Sequence, residues 1–197
     1  MRKIPSLFVR NHDGDRLVRE EVVDGSEWVI RGEGLPTVKF DGTAAMVKGG
    51  RLYRRHDYKA KAREKGLPPP DGWEPCEAEP NEHTGHWPGW LPVGSGPEDR
   101  YYAEAMAGSL PDGTYELIGP KVQGNPYGLQ GHVLMLHGYL PLGEDPRSFR
   151  GIKDYLSREA HEGIVWHHPD GRMVKIKARD FGIQWPREKE RCQIPSR

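Results

Sequence analysis

Residues 162–178 read EGIVWHHPDGRMVKIKA. Two β-prone apolar runs, Gly163–His167 and Arg172–Ala178, flank Pro169-Asp170-Gly171, a tripeptide suited to a tight turn, so the stretch reads as an antiparallel hairpin. The same pattern recurs at Thr43–Val47 and Arg51–Arg55, which enclose Lys48-Gly49-Gly50. Further strands are expected at Glu27–Arg31 (EWVIR), Thr37–Phe40 (TVKF), Thr114–Ile118 (TYELI) and His132–Tyr139 (HVLMLHGY). Short helices are expected at Tyr58–Lys65, at Pro97–Gly108 and at Ile152–Ala160. Pro68–Gly96, with Trp73, Trp87 and Trp90, reads as one long loop, and loops of that length in compact domains usually carry function. Glycine (25) and proline (18) exceed a fifth of the chain, which excludes a long helical bundle. Strands mixed with a few helices, without a βαβ rhythm, indicate an α+β fold built on antiparallel sheet.

A chain of 197 residues is sized for one domain, expected to run over 1–197, and needs no disulfide staples. No apolar run approaches the ~18 residues of a membrane span, and the N-terminus lacks the pattern of a signal peptide. Cys76 and Cys192 lie too far apart to suggest a disulfide framework. A cytoplasmic protein with no membrane association is the expectation. Acidic and basic residues balance at 29 each, so net charge says nothing about partners, but the distribution does. Lys48–Lys65 carries eight basic residues against Asp57 and Glu64, and Arg172–Arg191 seven against Asp180, Glu188 and Glu190. Two such segments suit a shared polyphosphate or nucleic-acid groove; charge alone favours two solvated faces.

Four strings carry the chemistry: Lys39-Phe40-Asp41-Gly42, Tyr115-Glu116-Leu117-Ile118-Gly119, Glu162-Gly163-Ile164-Val165-Trp166 and Lys175-Ile176-Lys177. Lys39 lies in an apolar strand context, where a lysine is unusual unless it lines a cavity. A partly desolvated lysine beside other cations gives up its proton more readily and can act as a nucleophile. Lys175 and Lys177 share one strand face, and two parallel ammonium groups are rational if an anion such as phosphate lies between them. Glu116 and Glu162 punctuate apolar strands, where a carboxylate suits a metal or a ribose hydroxyl. Taken singly, each has a bland reading as a strand-end or edge residue.

In chain order the set resembles the covalent nucleotidyltransferases, the polynucleotide ligases and mRNA capping enzymes. That family uses a KxDG lysine, an arginine on the following strand, a glutamate-bearing strand, an EGxV motif and a KxK motif. Ala44 stands where DNA ligases and capping enzymes carry the arginine of KxDGxR, and Thr43 after the glycine is similar to RNA ligases. The closer resemblance is to the small autoadenylating 5′–3′ RNA ligases. It rests on Lys39–Thr43, on Thr84–Val93 (TGHWPGWLPV), on Tyr115–Gly119 with Gly124–Gly128 (GNPYG), and on Glu162–Arg172.

The resemblance implies a nucleotidyltransferase core and an ATP-dependent RNA ligase that joins 5′-phosphate and 3′-hydroxyl ends. Lys39 would be the nucleophile that forms lysyl-AMP, and Lys175 and Lys177 would hold the α-phosphate. Asp41 would belong to the nucleotide pocket and Glu116 would accept from the ribose. Glu162 would hold Mg²⁺ or Mn²⁺. Arg55, with Arg54 as the alternative because neighbours on a strand face opposite ways, would contact ribose or RNA phosphate. An adenine-stacking residue is expected within His132–Tyr139.

Many relatives in the superfamily add an OB or helical C-terminal domain. Only twenty residues follow Lys177 here, too few for either. RNA grip is then expected from Lys59, Lys61, Arg63 and Lys65, from the Pro68–Gly96 loop, from the tail after Lys177, or from a protein partner. Alternatives are a DNA-sealing or capping-type enzyme of the same fold, or a silent nucleic-acid binder, against which the complete lysine and glutamate set argues. Cys76, His83 and His86 fit no common zinc spacing, and His167 and His168, being strand neighbours, point apart.

Overall fold

The hairpin at residues 162–178 supplies the central strand and one edge strand of a three-stranded antiparallel sheet in the structure, a computed structural model that describes residues 4–82, 84–106 and 108–186. In chain order the elements are β1 (Phe8–Arg10), β2 (Val18–Val22), α1 (Glu27–Ile30), β3 (Leu35–Lys39), β4 (Thr43–Lys48), β5 (Arg51–Asp57) and α2 (Ala60–Glu64). They continue as β6 (Glu74–Pro75), β7 (Pro88–Pro92), α3 (Arg100–Ala105), β8 (Gly113–Ile118), β9 (Val133–Leu136), α4 (Phe149–Arg158), β10 (Gly163–His167) and β11 (Met173–Lys177). A 3-10 turn, Ala178–Phe181, follows β11 directly. The fold is α+β, its ladders antiparallel and its helices few and short, and the described residues form no closed barrel.

The chain divides into two compact units. Among the described residues, one gathers Gly42–Asn125 and Leu129–His137; the other gathers residues 4–41, Pro126–Gly128 and residues 138–186. The first unit is a six-stranded sheet in the order β6-β7-β5-β4-β8-β9. On one face Ala45, Val47, Tyr115, Leu117 and Leu134 pack with Tyr102 and Ala105 of α3. Asp99, before α3, is buried and holds the guanidinium of Arg54 at 2.6 Å.

In the second unit β11-β10-β3 form the central sheet and β1-β2 a small ribbon. The alternating residues Ile164, Trp166, Val174 and Ile176 meet Ile152, Tyr155 and Leu156 of α4 in one core. The spacing of those three helix residues puts them on one face. Ser148 caps that helix, accepting from Gly151 N at 3.1 Å. Burying each such large apolar side chain contributes about 1.5–3 kcal/mol.

Two sequence expectations are corrected. Glu27–Arg31 is not a strand: Glu27–Ile30 forms a helical turn. Trp28 and Val29 are adjacent yet both enter the same core, which a helical turn permits and a strand, with side chains alternating between faces, does not. Pro68–Gly96 is not one continuous loop, because it contains β6 and β7. Pro88 and Pro92 bound β7 and mask it in sequence, but buried Trp90 and Leu91 pair with Arg55 and Arg54 of β5. The helix expected over Pro97–Gly108 is shorter, Arg100–Ala105, and the strand expected over His132–Tyr139 narrows to Val133–Leu136. Among the described residues no helix is long and apolar enough to cross a membrane.

Candidate active site

The register of the three-stranded sheet brings the lysine motif and the KxK motif to one place. Gly163, at the start of the central strand, pairs with Lys39 of β3 on one side and with Lys177 of β11 on the other. Side chains of paired residues share a sheet face, so the two lysines flank the same glycine. A Cβ at Gly163 would lie 2.1 Å from the Ile176 carbonyl oxygen, so this close approach requires glycine. Glu162 precedes the strand and sends its carboxylate between the lysines. Lys39 Nζ lies 2.5 Å from Glu162 Oε2 and Lys177 Nζ 2.6 Å from Oε1. Arg179 Nη2 donates to Oε1 as well, at 3.3 Å.

Glu162 is 1% exposed, against 17% and 23% for the two lysines. Burial works against its charge, but the ammonium groups of Lys39 and Lys177 outweigh burial and hold the carboxyl below its ordinary value. Three cations therefore converge on one carboxylate, and the excess positive charge suits an incoming phosphate. A depressed carboxyl stabilises the fold above its ordinary value of 4.5, and that contribution fades as pH falls through the lower folded value. Urea midpoints measured stepwise through this acid range should fall in the native chain, and Glu162→Gln should flatten the fall.

Asp41 belongs to the same unit. Its Oδ2 accepts from Trp185 Nε1 at 2.8 Å, and its backbone N–H donates to the Tyr127 hydroxyl at 2.5 Å. Burial, and then the charge of Glu162, raise its carboxyl above the usual range, with the Trp185 hydrogen bond and the two lysines opposing. Lys177 is fixed from behind: its backbone N–H donates to the buried Asp180 carboxylate at 2.9 Å, and Arg10 pairs with that same carboxylate. Lys175 stands two residues earlier on β11, between buried Val174 and Ile176.

Glu116 lies in the other unit, on β8. Its Oε1 accepts from Gly42 N at 3.1 Å, and its Oε2 lies 3.0 Å from His137 Nε2, while His137 Nδ1 lies 2.9 Å from Thr114 Oγ1. A Cβ on Gly42 would lie 2.2 Å from the Leu117 carbonyl oxygen. Gly42→Ala should therefore destabilise by about 1–3 kcal/mol, the scale of overpacking, measured as a lowered urea midpoint.

The pairings of β4 with β5 and β8 put Arg54 opposite Ala45, on the face covered by α3, and Arg55 on the opposite face with Glu116. Arg55 Nη1 donates to Cys76 Sγ at 3.1 Å and its guanidinium lies 5.1 Å from the Trp90 ring centroid. Met135 pairs with Glu116 and shares its face, whereas Leu134 turns into the core.

Lys59, Lys61 and Lys65, around α2, are exposed. Arg63 is engaged in packing: it donates to the carbonyls of Tyr58 and Gly85, and its guanidinium lies over the Tyr58 and Trp87 rings. Tyr58, Trp73 and Trp87 pack on one another with centroids 5.4–5.9 Å apart.

Among the described residues no three His, Cys, Asp or Glu side chains gather as for a metal ion; His83, Cys192 and the tail from residue 187 lie outside them. His167 Nε2 lies 3.0 Å from Thr37 Oγ1 and His168 Nε2 3.1 Å from Glu33. Both Glu162 oxygens already take ammonium donors. Carboxylate oxygens of this kind are hard donors of the sort that suit a divalent ion such as Mg²⁺.

Comparison with known proteins places the chain. A family model described as RNA ligase 1 matches residues 104–195. RNA ligase 1 of Mus musculus is 34% identical over 268 aligned residues, covering 94% of this chain and 81% of the relative. RNA ligase 1 of Danio rerio is 36% identical over 143 residues, 54% of this chain and 44% of the relative. RNA ligase 1 of Rattus norvegicus is 33% identical over 162 residues, 60% of this chain and 50% of the relative. The chain thus belongs to the RNA ligase 1 family. The matches span half or less of the Danio rerio and Rattus norvegicus proteins, and about four fifths of the Mus musculus one.

Proposed function

We propose that this chain is an ATP-dependent RNA ligase in which residues 1–197 act as one nucleotidyltransferase domain. It joins an RNA 5′-phosphate to a 3′-hydroxyl through lysyl-AMP on Lys39. The observation that carries the reading is the convergence of Lys39, Lys177 and Arg179 on the buried carboxylate of Glu162, in a member of the RNA ligase 1 family. That arrangement is a cation-rich, partly dry socket next to one strand-borne amine.

In the first step the neutral Lys39 amine attacks the α-phosphorus of ATP. A nitrogen–phosphorus bond forms, the bond to the bridging oxygen breaks, pyrophosphate leaves, and the amine proton passes to water. Lys177 and Lys175 then have an anion to hold, the α-phosphate. In the second step the RNA 5′-phosphate oxygen takes the adenylyl group and Lys39 is regenerated. In the third, the 3′-hydroxyl attacks that 5′-phosphorus, and AMP leaves. Charge neutralisation and positioning dominate all three. Mg²⁺ or Mn²⁺, held by Glu162 with the phosphates, would neutralise phosphate charge. Glu116, steadied by His137, accepts from the ribose, and Arg55 supplies a cation on its face.

RNA is held by its phosphates on Lys59, Lys61 and Lys65, with any further grip from the tail or a protein partner. Arg63 shapes the neighbouring aromatic cluster, so a test of RNA grip must leave it in place. Reversing Lys59, Lys61 and Lys65 together should weaken sealing and flatten its salt dependence, by about 0.7 in log–log slope for each phosphate no longer neutralised, and leave self-adenylylation intact. Unchanged sealing would make α2 a merely solvated face. The function itself is tested by incubating the protein with ATP and Mg²⁺, then with 5′-phosphorylated RNA, and following adenylylated RNA and sealed product. GTP in place of ATP, or nicked DNA in place of RNA, should support neither.

A further inference from the structure

The strand that carries Lys175 and Lys177 has a second support, outside the three-stranded sheet. Its edge away from β10 is taken up by residues near the start of the chain. Lys175 N donates to the Pro5 carbonyl at 3.0 Å, Leu7 N donates to the Lys175 carbonyl at 2.8 Å, and Ser6 forms a parallel bridge with Lys175. Further along, Arg10 of β1 pairs with Asp180, whose other oxygen accepts from Lys177 N at 2.9 Å. The next amide, Ala178 N, donates to the Glu162 carbonyl at 2.8 Å. Asp180 is 3% exposed and Arg10 34%, so a guanidinium near the surface neutralises a carboxylate in the core. Neither residue belongs to the four motif strings. Resting on the ligase reading above, we propose that Arg10, acting through Asp180, is a positioning residue for nucleotidyl transfer. It fixes the end of the KxK strand, so that the Lys177 ammonium is in place when the α-phosphate arrives.

The physical case rests on a buried charge. A carboxylate left in the core without a counter-charge is costly. The ammonium of Lys177 is committed to Glu162 at 2.6 Å, so the charge on Asp180 is met by Arg10. With Arg10 in place, Asp180 accepts the Lys177 N–H and fixes the backbone from which that side chain starts. Without it, Asp180 would turn towards water or draw on the Lys177 ammonium itself. Either motion displaces a cation that must meet developing charge, and a displacement of about 1 Å at such a group can cost about 10²-fold in rate. The small N-terminal ribbon is thereby coupled to the phosphate-holding strand across 170 residues of chain.

Arg10→Gln keeps a donor and removes the charge; Arg10→Lys, the milder second variant, keeps the charge and loses the planar fork. Arg10→Gln should slow lysyl-AMP formation about tenfold, with the ATP concentration for half-maximal rate changed less than about twofold. Arg10→Lys should fall between it and the native chain. In a Lys177→Ala background both substitutions should change the rate less than about twofold, because the group they position is gone. A merely structural role would lower the rate by the same factor in both backgrounds. That result, or a native rate in Arg10→Gln, overturns the proposal; should Arg10→Gln fail to fold, Arg10→Lys carries the same two comparisons. A second readout needs no chemistry. In ¹⁵N-labelled protein the Lys177 amide should exchange its hydrogen about tenfold faster in the Arg10 variant that folds, while Ile164 and Trp166 in the central strand keep their native rates. An unchanged Lys177 rate removes the tie itself. If the native chain forms no adduct, the ligase reading and the catalytic half of this inference fall together, and the exchange rates still decide whether Arg10 holds the strand.

Discussion

Lys39→Ala and Lys39→Arg should form no lysyl-AMP and seal no 5′-phosphorylated RNA, a loss of about 10⁴-fold or more, the scale seen when a covalent enzyme loses its nucleophile. The two variants fail for different reasons. Alanine removes the amine and leaves Glu162 with fewer counter-cations. Arginine keeps a cation beside Glu162 and so keeps the fold, but its guanidinium does not deprotonate in proteins and cannot attack phosphorus. Because joining a ready-made adenylylated RNA end needs no enzyme–AMP bond, Lys39→Arg should still seal such an end. Gel-based sealing of both RNA forms, with intact mass for the adduct, checks this. An adduct of undiminished yield on either variant would place the nucleophile elsewhere.

Lys177→Ala is expected to have the next largest effect. In a socket where Glu162 is almost wholly buried, losing one preorganised cation at the α-phosphate should cost about 10²–10³ in the rate of adduct formation. Lys175→Ala, on the same strand face, should lower the same rate, and rapid-quench adenylylation measures both. The fold should survive Lys177→Ala, because Lys39 still compensates Glu162 and Asp180 still caps the turn through the backbone of residue 177. Glu162→Ala differs: it leaves two ammonium groups facing each other, and breaking such a pair from the acidic side costs up to about 3 kcal/mol. Normal first-step rates in Lys175→Ala and Lys177→Ala alike would reduce the motif to an exposed strand face.

How far the sequence revealed this arrangement depends on the range of each interaction. The hairpins were legible because turn chemistry is local: Pro169-Asp170-Gly171 and Lys48-Gly49-Gly50 sit between runs of matching length, and both are antiparallel pairs in the structure. Elements that break the local pattern were not. Trp28 and Val29 look β-prone but enter one core from a helical turn, and β7 hides behind its bounding prolines. At the site, Lys39 and Glu162 are 123 residues apart. Their types and order could be read along the chain, but their meeting depends on the register that sets Gly163 between Lys39 and Lys177. The choice between Arg54 and Arg55 likewise waited on which face α3 covers. Tyr127 sits in the Gly124–Gly128 string, but its bond to Asp41, 86 residues away, was not legible there, and nothing local marks Trp185, 144 residues from Asp41. His137 fell inside a run read as a strand expected to carry the adenine-stacking residue, with no register chosen, and its bond to Glu116 appears only in the fold.

The central claim is that Lys39 carries the adenylyl group. The most direct measurement is peptide mapping by mass spectrometry of the native chain after incubation with ATP and Mg²⁺ and no RNA. We expect one added adenylyl group per chain, on the peptide containing Lys39, lost again when 5′-phosphorylated RNA is supplied. An adenylyl group on any other residue, or a chain that stays unmodified with ATP and metal in excess, would contradict the account.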